Sequence, residues 1–373
     1  TKVVAFSLRQ KEKTWMKISR SDTEYLKGIA ILLMLGHHLF AFPERILSPS
    51  FFIPLPGGLN IEGLAGSFGK ICVGVFLFLS GYGFAVSGLK GFRYYAEKVW
   101  RFLQVYWFYF AIFIPIGLVF FNHVTFFNST TPRYEADPML FILNASALTF
   151  SYNEEWWFVQ PYLLLVLSAP LTLRLAKKPP VLIALSAALY NFAWILEWKG
   201  LNTPYISAVW IFRWQLPFVI GVLAAVWSAR IEAALERMRR TSPVIIPVAA
   251  GTGTAFLWNR LHVTGLLLAT PLFLILCLEL KRWMRGGWRL FTFTGGYSFP
   301  IWLTHSFFCY YYWQKAVYWP KYSPLVFLNL AVMSLAVCMA AEKLRAATFA
   351  LPGRLRSAWT EYRMKRDGCR PES

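Results

Sequence analysis

His38 sits in the first long apolar stretch of the chain, and Lys27 lies eleven residues before it. At about 100° per residue, eleven helical steps return to nearly the same face, about 16 Å further along the axis. A cation near a membrane surface and a titratable nitrogen deep in the bilayer would then share one stripe. An imidazole inside a membrane helix is costly unless it has a partner or a job. This pairing suits a long ligand with an anionic head and a reactive tail, and a neutral imidazole can take a proton from a hydroxyl. His37 points about 100° away from His38 on a helix, so His38 is the candidate base. The other ionisable groups in or beside apolar runs are Arg213, His305, Arg101 at one mouth, and Glu154 with Glu155 at the other. The plain alternative is that these groups pair with one another, or with backbone carbonyls, only to join helices. A metal site would need further His or carboxylate ligands at suitable spacing, and none lies near His38.

Two more segments carry candidate residues. Val75-Phe-Leu-Phe-Leu-Ser-Gly-Tyr-Gly-Phe-Ala contains Ser80, Gly81, Tyr82 and Gly83. Small residues there permit either close helix contact or ligand approach. Lys98-Val-Trp-Arg101 puts two cations one helical turn apart. They can hold phosphates, or simply follow the rule that cytoplasmic loops are basic. Trp156 and Trp157 lie near a span end, where aromatic residues serve as interfacial anchors.

Elements must position these residues, and composition says which. The 373 residues are 57% hydrophobic and only 15% charged, against about a quarter charged in soluble domains. The mean hydropathy is +0.45. This is an all-α, polytopic membrane bundle. The net charge of +20 does not signal nucleic acid, because the basic residues fall in short loops that alternate along the chain. Anionic lipid headgroups add to that bias. Four of the five cysteines, Cys72, Cys277, Cys309 and Cys338, fall in apolar runs, and no CxxC pair occurs. They read as small buried hydrophobes.

Ten spans are expected, at about 25–42, 68–89, 102–121, 156–176, 180–198, 208–227, 243–258, 263–280, 293–313 and 325–344. The basic connections, 90–101, 174–178, 230–240 and 281–289, fall on the same side as both termini. Both termini are therefore expected in the cytoplasm. Segment 139–152 reads as re-entrant or interfacial. Residues 1–24 form an N-terminal segment without a signal-peptide cleavage site, with Met16 a candidate start. Residues 25–344 form the membrane domain, and 345–373 a basic tail lying on the inner surface.

Taken in order, these segments resemble the acyltransferase 3 family of integral membrane O-acyltransferases. The family pattern in its first span is R-x10-H; here the spacing is kept, with Lys27 in place of arginine and Glu24 ahead of it. Val75 to Gly83 is similar to the family's Phe-Leu-Ser-Gly-Phe/Tyr stretch, and Arg101 with its neighbours to the basic, aromatic start of its third span. Glu155-Trp-Trp-Phe158 is similar to its Trp-Phe segment. Gly296-Tyr-Ser-Phe-Pro-Ile-Trp-Leu-Thr-His305 is similar to its Gly-x-x-Ser-Tyr-x-x-Tyr-Leu-x-His stretch. There are departures. Lysine lacks arginine's bidentate fork. Gln160 is the nearest polar residue where many relatives carry a Glu. No fused SGNH hydrolase-like domain is present in this sequence.

The resemblance implies a ten-span bundle in a bacterial inner membrane. It would move an acyl group from cytoplasmic acetyl-CoA, or another short acyl-CoA, to a sugar hydroxyl of a lipid-linked or extracytoplasmic glycan. Lys27, Lys98 and Arg101 would bind the donor. His38 would be the general base or a transient acyl carrier. Ser80, Tyr82, Trp156, Trp157 and His305 would hold the acceptor or the oxyanion. Homo-oligomers are compatible with this reading. A transporter or flippase for a small anion or lipid-linked glycan, using intramembrane His and Arg, is the alternative.

Overall fold

Apolar runs of this length become helices because a bilayer offers backbone polar groups no other partner. The computed structural model describes residues 18–48, 50–125, 131–200 and 208–366. Among them the helices are α1 (Arg20–Phe40), α2 (Ile61–Gly69), α3 (Ile71–Ser87), α4 (Phe92–Phe120), α5 (Pro138–Ala145), α6 (Val159–Leu175) and α7 (Pro179–Trp198). Then come α8 (Ala208–Val226), α9 (Ser228–Thr241), α10 (Ile245–Trp283), α11 (Trp288–Gly296), α12 (Ser298–Ser306), α13 (Gln314–Tyr318) and α14 (Ser323–Arg366). The described residues contain no β-strand. The candidate start at Met16 lies outside the described residues.

Seven helices among the described residues are long and apolar enough to cross a membrane. The ten expected spans also count α1, a second arm of α10 and the α11–α12 stretch. α10 doubles back on itself: His262 takes a positive φ of 46°, and a Cβ on Gly265 would strike the Leu257 carbonyl. The sequence signal for two spans was therefore a tight helical hairpin. The expected span at 293–313 is broken into α11, α12 and a π turn at Phe307–Tyr311. α4 starts at Phe92, so the basic segment before residue 102 is helix, not loop. In segment 139–152 only the residues up to Ala145 are helical, in the eight-residue α5, about 12 Å long and too short to cross. The tail after Leu344 continues α14 through Arg366 and is not a separate surface helix.

Three backbone approaches set the bundle. α1 begins on a capping box between Ser19 and Asp22 and crosses α11 at Gly28 and Gly295. A Cβ on Gly28 would strike the Phe291 carbonyl, and one on Gly295 the Glu24 carbonyl. α3 meets α8 the same way, with Gly81 on the Phe218 carbonyl and Gly221 on the Phe78 carbonyl. α1 also meets the α2–α3 junction, where Gly69 lies against Leu33 and His37. Such crossings are how helices associate where lipid removes the hydrophobic drive. The apolar core divides into a larger cluster around α1, α4, α12 and the π turn, and a smaller one around α3, α6 and α8.

Gly295→Val is expected to cost about 3 kcal/mol or more, the upper end for overpacking, because the blocking atoms are backbone. Gly296, where an added Cβ would have nothing within 4 Å, supplies the control. Thermal unfolding in detergent should show a large loss for Gly295→Val and none for Gly296→Ala.

Candidate active site

α1 and α3 wall one large cavity of about 1060 Å³, at the upper limit of the roughly 300–1,000 Å³ usual for ligand sites. α3 lines it from Lys70 to Ser87, about 25 Å of helix. Lys27 and His38 both line it. The shared face expected from their spacing is therefore a cavity wall. Lys27, Lys98, Tyr94 and Ser87 lie toward one end; Arg45, Glu154, Glu155 and Trp157 lie toward the other.

His38 is held from behind. The Tyr310 hydroxyl donates to the His38 carbonyl, and the Tyr318 hydroxyl donates to the Leu39 carbonyl at 2.7 Å. These caps satisfy carbonyls that a helix end leaves open. Tyr310 has one hydroxyl hydrogen, already given to a carbonyl. In its 3.3 Å contact with His38 Nδ1, the nitrogen must therefore donate. That network assigns the proton to Nδ1 and leaves the Nε2 lone pair of His38 available.

His305 lies 4.7 Å from His38, ring centre to ring centre, and is fully buried. Its Nδ1 donates to the Trp302 carbonyl at 2.8 Å, so its Nε2 also carries a lone pair. That Nε2 is buried without a hydrogen-bond partner. His37 lines the cavity too, but its Nδ1 donates to the Gly66 carbonyl at 2.8 Å and ties α1 to α2.

The remaining expected residues divide cleanly. Ser80 lines the cavity, with its hydroxyl donating to the Phe76 carbonyl at 2.9 Å. Lys98 lines it and sits 5.3 Å over the Tyr94 ring. Trp157 lines it beside Trp210 and Trp214. Four expected residues do not line the cavity: His305, fully buried beside His38, and three that face elsewhere. Tyr82 is about 200° round α3 from Ser80; it faces away, and its hydroxyl accepts from the Ile18 amide. Trp156 is core, donating to the Leu303 carbonyl at 3.0 Å. Arg101 is exposed and lies off the α4 face that carries Tyr94, Lys98 and Phe102 into the cavity.

Sequence reasoning gave no role to Arg45 and treated Glu155 only as one of the mouth carboxylates. Arg45 pairs with Glu155 at 2.9 Å, and Glu155 is 4% exposed. The Tyr311 hydroxyl donates to Glu155 at 2.6 Å, while Arg133 pairs with Glu154 at 2.8 Å. Arg45 also lies 4.6 Å over the Phe42 ring. Burial opposes the Arg45 charge, but Glu155, Tyr310, Tyr311 and Glu154 outweigh it and raise its pKa. Arg133 follows the same pattern: burial opposes its charge, and Tyr311, Glu154 and Glu155 raise its pKa. A sequence signal did exist: Arg45 lies in a connection facing the acidic one that carries Glu154 and Glu155. Arg213 lines the cavity, paired with Glu197 and stacked 4.7 Å over Trp194. Among the described residues, no three His, Cys, Asp or Glu side chains group to hold a metal ion.

Chemically, the cavity offers a base with a free lone pair and cations at both ends, and a second buried lone pair, on His305, lies beside that base but off the cavity lining. A family model described as an acyltransferase domain matches residues 21–343. No curated protein and no solved structure matches the chain significantly.

Glu155→Gln should leave Arg45 with only the longer contact to Glu154, at 3.9 Å. Breaking a buried pair costs about 3–5 kcal/mol, and Arg45, 22% exposed, discounts that to about 2–4 kcal/mol. Thermal unfolding should show this loss, and Arg45→Met added to Glu155→Gln should recover part of it.

Proposed function

The chain belongs to the acyltransferase 3 family, and from that premise we propose that it moves a short acyl group, such as acetyl, from cytoplasmic acyl-CoA to a sugar hydroxyl. The acceptor is a lipid-linked or extracytoplasmic glycan, and the setting a bacterial inner membrane with ten crossings and both termini cytoplasmic. The observation that carries this reading is that Lys27 and His38 line one cavity, with His38 Nε2 available as a base.

In this reading the donor comes in at the Lys27 end. Lys27 and Lys98 meet its phosphates, and Tyr94 offers a ring to its adenine. The pantetheine arm follows the α1–α3 wall toward His38. The acceptor comes in from the Arg45 end, where Trp157 offers a face to the sugar. His38 Nε2 takes the hydroxyl proton as the oxygen attacks the thioester carbonyl. The C–O bond forms, the C–S bond breaks, and the imidazolium returns its proton to the departing thiolate. His305 Nε2, buried and unpartnered beside it, supplies a second lone pair that steadies the proton while His38 holds it. In a variant route Nε2 itself attacks the thioester and carries the acyl group to the sugar. Ser80, on the cavity wall, is placed to orient a reacting group.

The test is O-acyl content of surface and lipid-linked glycans by mass spectrometry, in cells with the protein deleted and then restored. Restoring His38→Ala at matched protein level should leave the acyl mass absent. Full recovery with His38→Ala removes the base from the scheme, and an unchanged glycan in the deletion moves weight to a transporter. Acyl-CoA-dependent product formation by purified protein separates those two classes directly. For the donor, Lys27→Arg should keep the acyl-CoA KM within about threefold. Lys27→Ala should raise it about tenfold or more, as expected for losing one charge-assisted hydrogen bond.

A further inference from the structure

We propose that the acceptor is anionic, and that its phosphate or carboxylate binds between Lys70 and Arg213 at the Arg45 end of the cavity. The inference rests on the acyl-transfer reading for the word acceptor, and on charge and geometry for everything else.

Lys70 joins α2 to α3 and lines the cavity, half-buried. Every arginine at this end has a carboxylate: Arg45 has Glu155, Arg133 has Glu154 and Arg213 has Glu197. Lys70 has none within ion-pair distance among the described residues. An unpaired cation inside a membrane bundle is costly and marks a ligand path. Its charged neighbour makes matters worse, because Arg213 lines the same cavity and the two positive charges repel. Such an arrangement is stable when an anion sits between the two.

Arg213 has capacity to spare. Its Nε is buried with no hydrogen-bond partner, and its carboxylate partner Glu197 is about half exposed and does not line the cavity. A guanidinium with a donor left over is a ready oxyanion ligand. Trp157, Trp210 and Trp214 form an aromatic wall of the same cavity, suited to the ring of a sugar that carries the charge.

Depth separates this site from the donor's. Gly69, next to Lys70, lies against His37, so Lys70 sits level with the His37–His38 pair. Lys27 is about 16 Å away along α1. The anion therefore belongs to the molecule whose hydroxyl meets His38. It comes from a lipid-borne diphosphate linkage or from a uronic-type sugar carboxylate.

The test is equilibrium binding to the purified full-length protein in zwitterionic-lipid nanodiscs, without acyl donor. The probes are a radiolabelled polyprenyl diphosphate, a hexuronate trisaccharide and a neutral trisaccharide. At least one anionic probe should bind saturably, and the neutral one at least about tenfold more weakly. Lys70→Met should weaken the anionic probe by between about tenfold and a hundredfold, the range for a charge-assisted hydrogen bond. Lys70→Arg should stay within about threefold, which shows that the site is folded. Lys177→Met, on an exposed connection, should have no effect and so exclude general surface attraction. Dependence on Lys70 for the diphosphate alone assigns a lipid-borne acceptor; for the uronate alone, a charged sugar. The proposal fails if wild type binds neither anion, if it binds the neutral trisaccharide as tightly as the anions, or if Lys70→Met binds as tightly as wild type. Because no donor is present, these outcomes are independent of whether transfer occurs. A protein that binds the anion but transfers nothing sinks the acyl-transfer reading and leaves this site standing.

Discussion

Where α1 crosses α11, Gly28 and Gly295 let two backbones meet with no side chain between them. That contact decides what else the bundle can do. It fixes α1 against the broken stretch that runs through α12 into the π turn, and so sets His38 beside His305 and Tyr310. Lipid gives helices no hydrophobic reason to associate, so such close packing supplies dispersion energy instead. A larger residue at either glycine would push the N-terminal half of α1 away from α11.

The break in the α11–α12 stretch is tolerated because its freed polar groups find work. A π turn is a frequent device at functional sites. Here it sets two successive tyrosines on different duties, Tyr310 on α1 and Tyr311 on Glu155. Tyr318 and Gln314 follow, donating to the carbonyls of Leu39 and Arg45. The last turn of α1 and the connection after it are thus held by side chains from one distant segment. The ion pairs at this end follow the same logic. Arg45, Glu155, Tyr311, Arg133 and Glu154 form a connected set, and a satisfied polar network in a low-dielectric setting is rigid. Lys70 stands outside it, with no carboxylate within ion-pair distance among the described residues.

What the sequence made legible was local. Lys27 and His38 lie on one helix, so their shared face follows from helical geometry alone. The apolar runs followed from length and composition for the same reason. His305 was visible as an ionisable residue in an apolar run, but its approach to His38 was not. Contacts that span 110, 156 and 272 residues, from Arg45 to Glu155, Glu155 to Tyr311 and His38 to Tyr310, leave no trace in spacing. The misplaced residues fail for a related reason. Tyr82, Trp156 and Arg101 are near neighbours of cavity residues in sequence, and on a helix nearness in sequence means a different face. The hairpin inside α10 was legible as two spans because Asn259, Arg260 and His262 interrupt the apolar run.

The fixed placement of the two histidines also bears on enzyme against transporter. A carrier must let its central groups face each side in turn, so the elements that bear them must move past one another. Here α1 is tied to α11 by backbone contact, to α2 through His37 and Gly66, and to the π turn through Tyr310. Releasing it would open several buried hydrogen bonds together, with nothing at hand to replace them. A reaction centre has the opposite need. It requires its base held still while two substrates come in from opposite ends, and transfer across such a centre moves only the acyl group. The clamped His38 and the cavity open along the length of α3 meet that need, which favours chemistry over carriage.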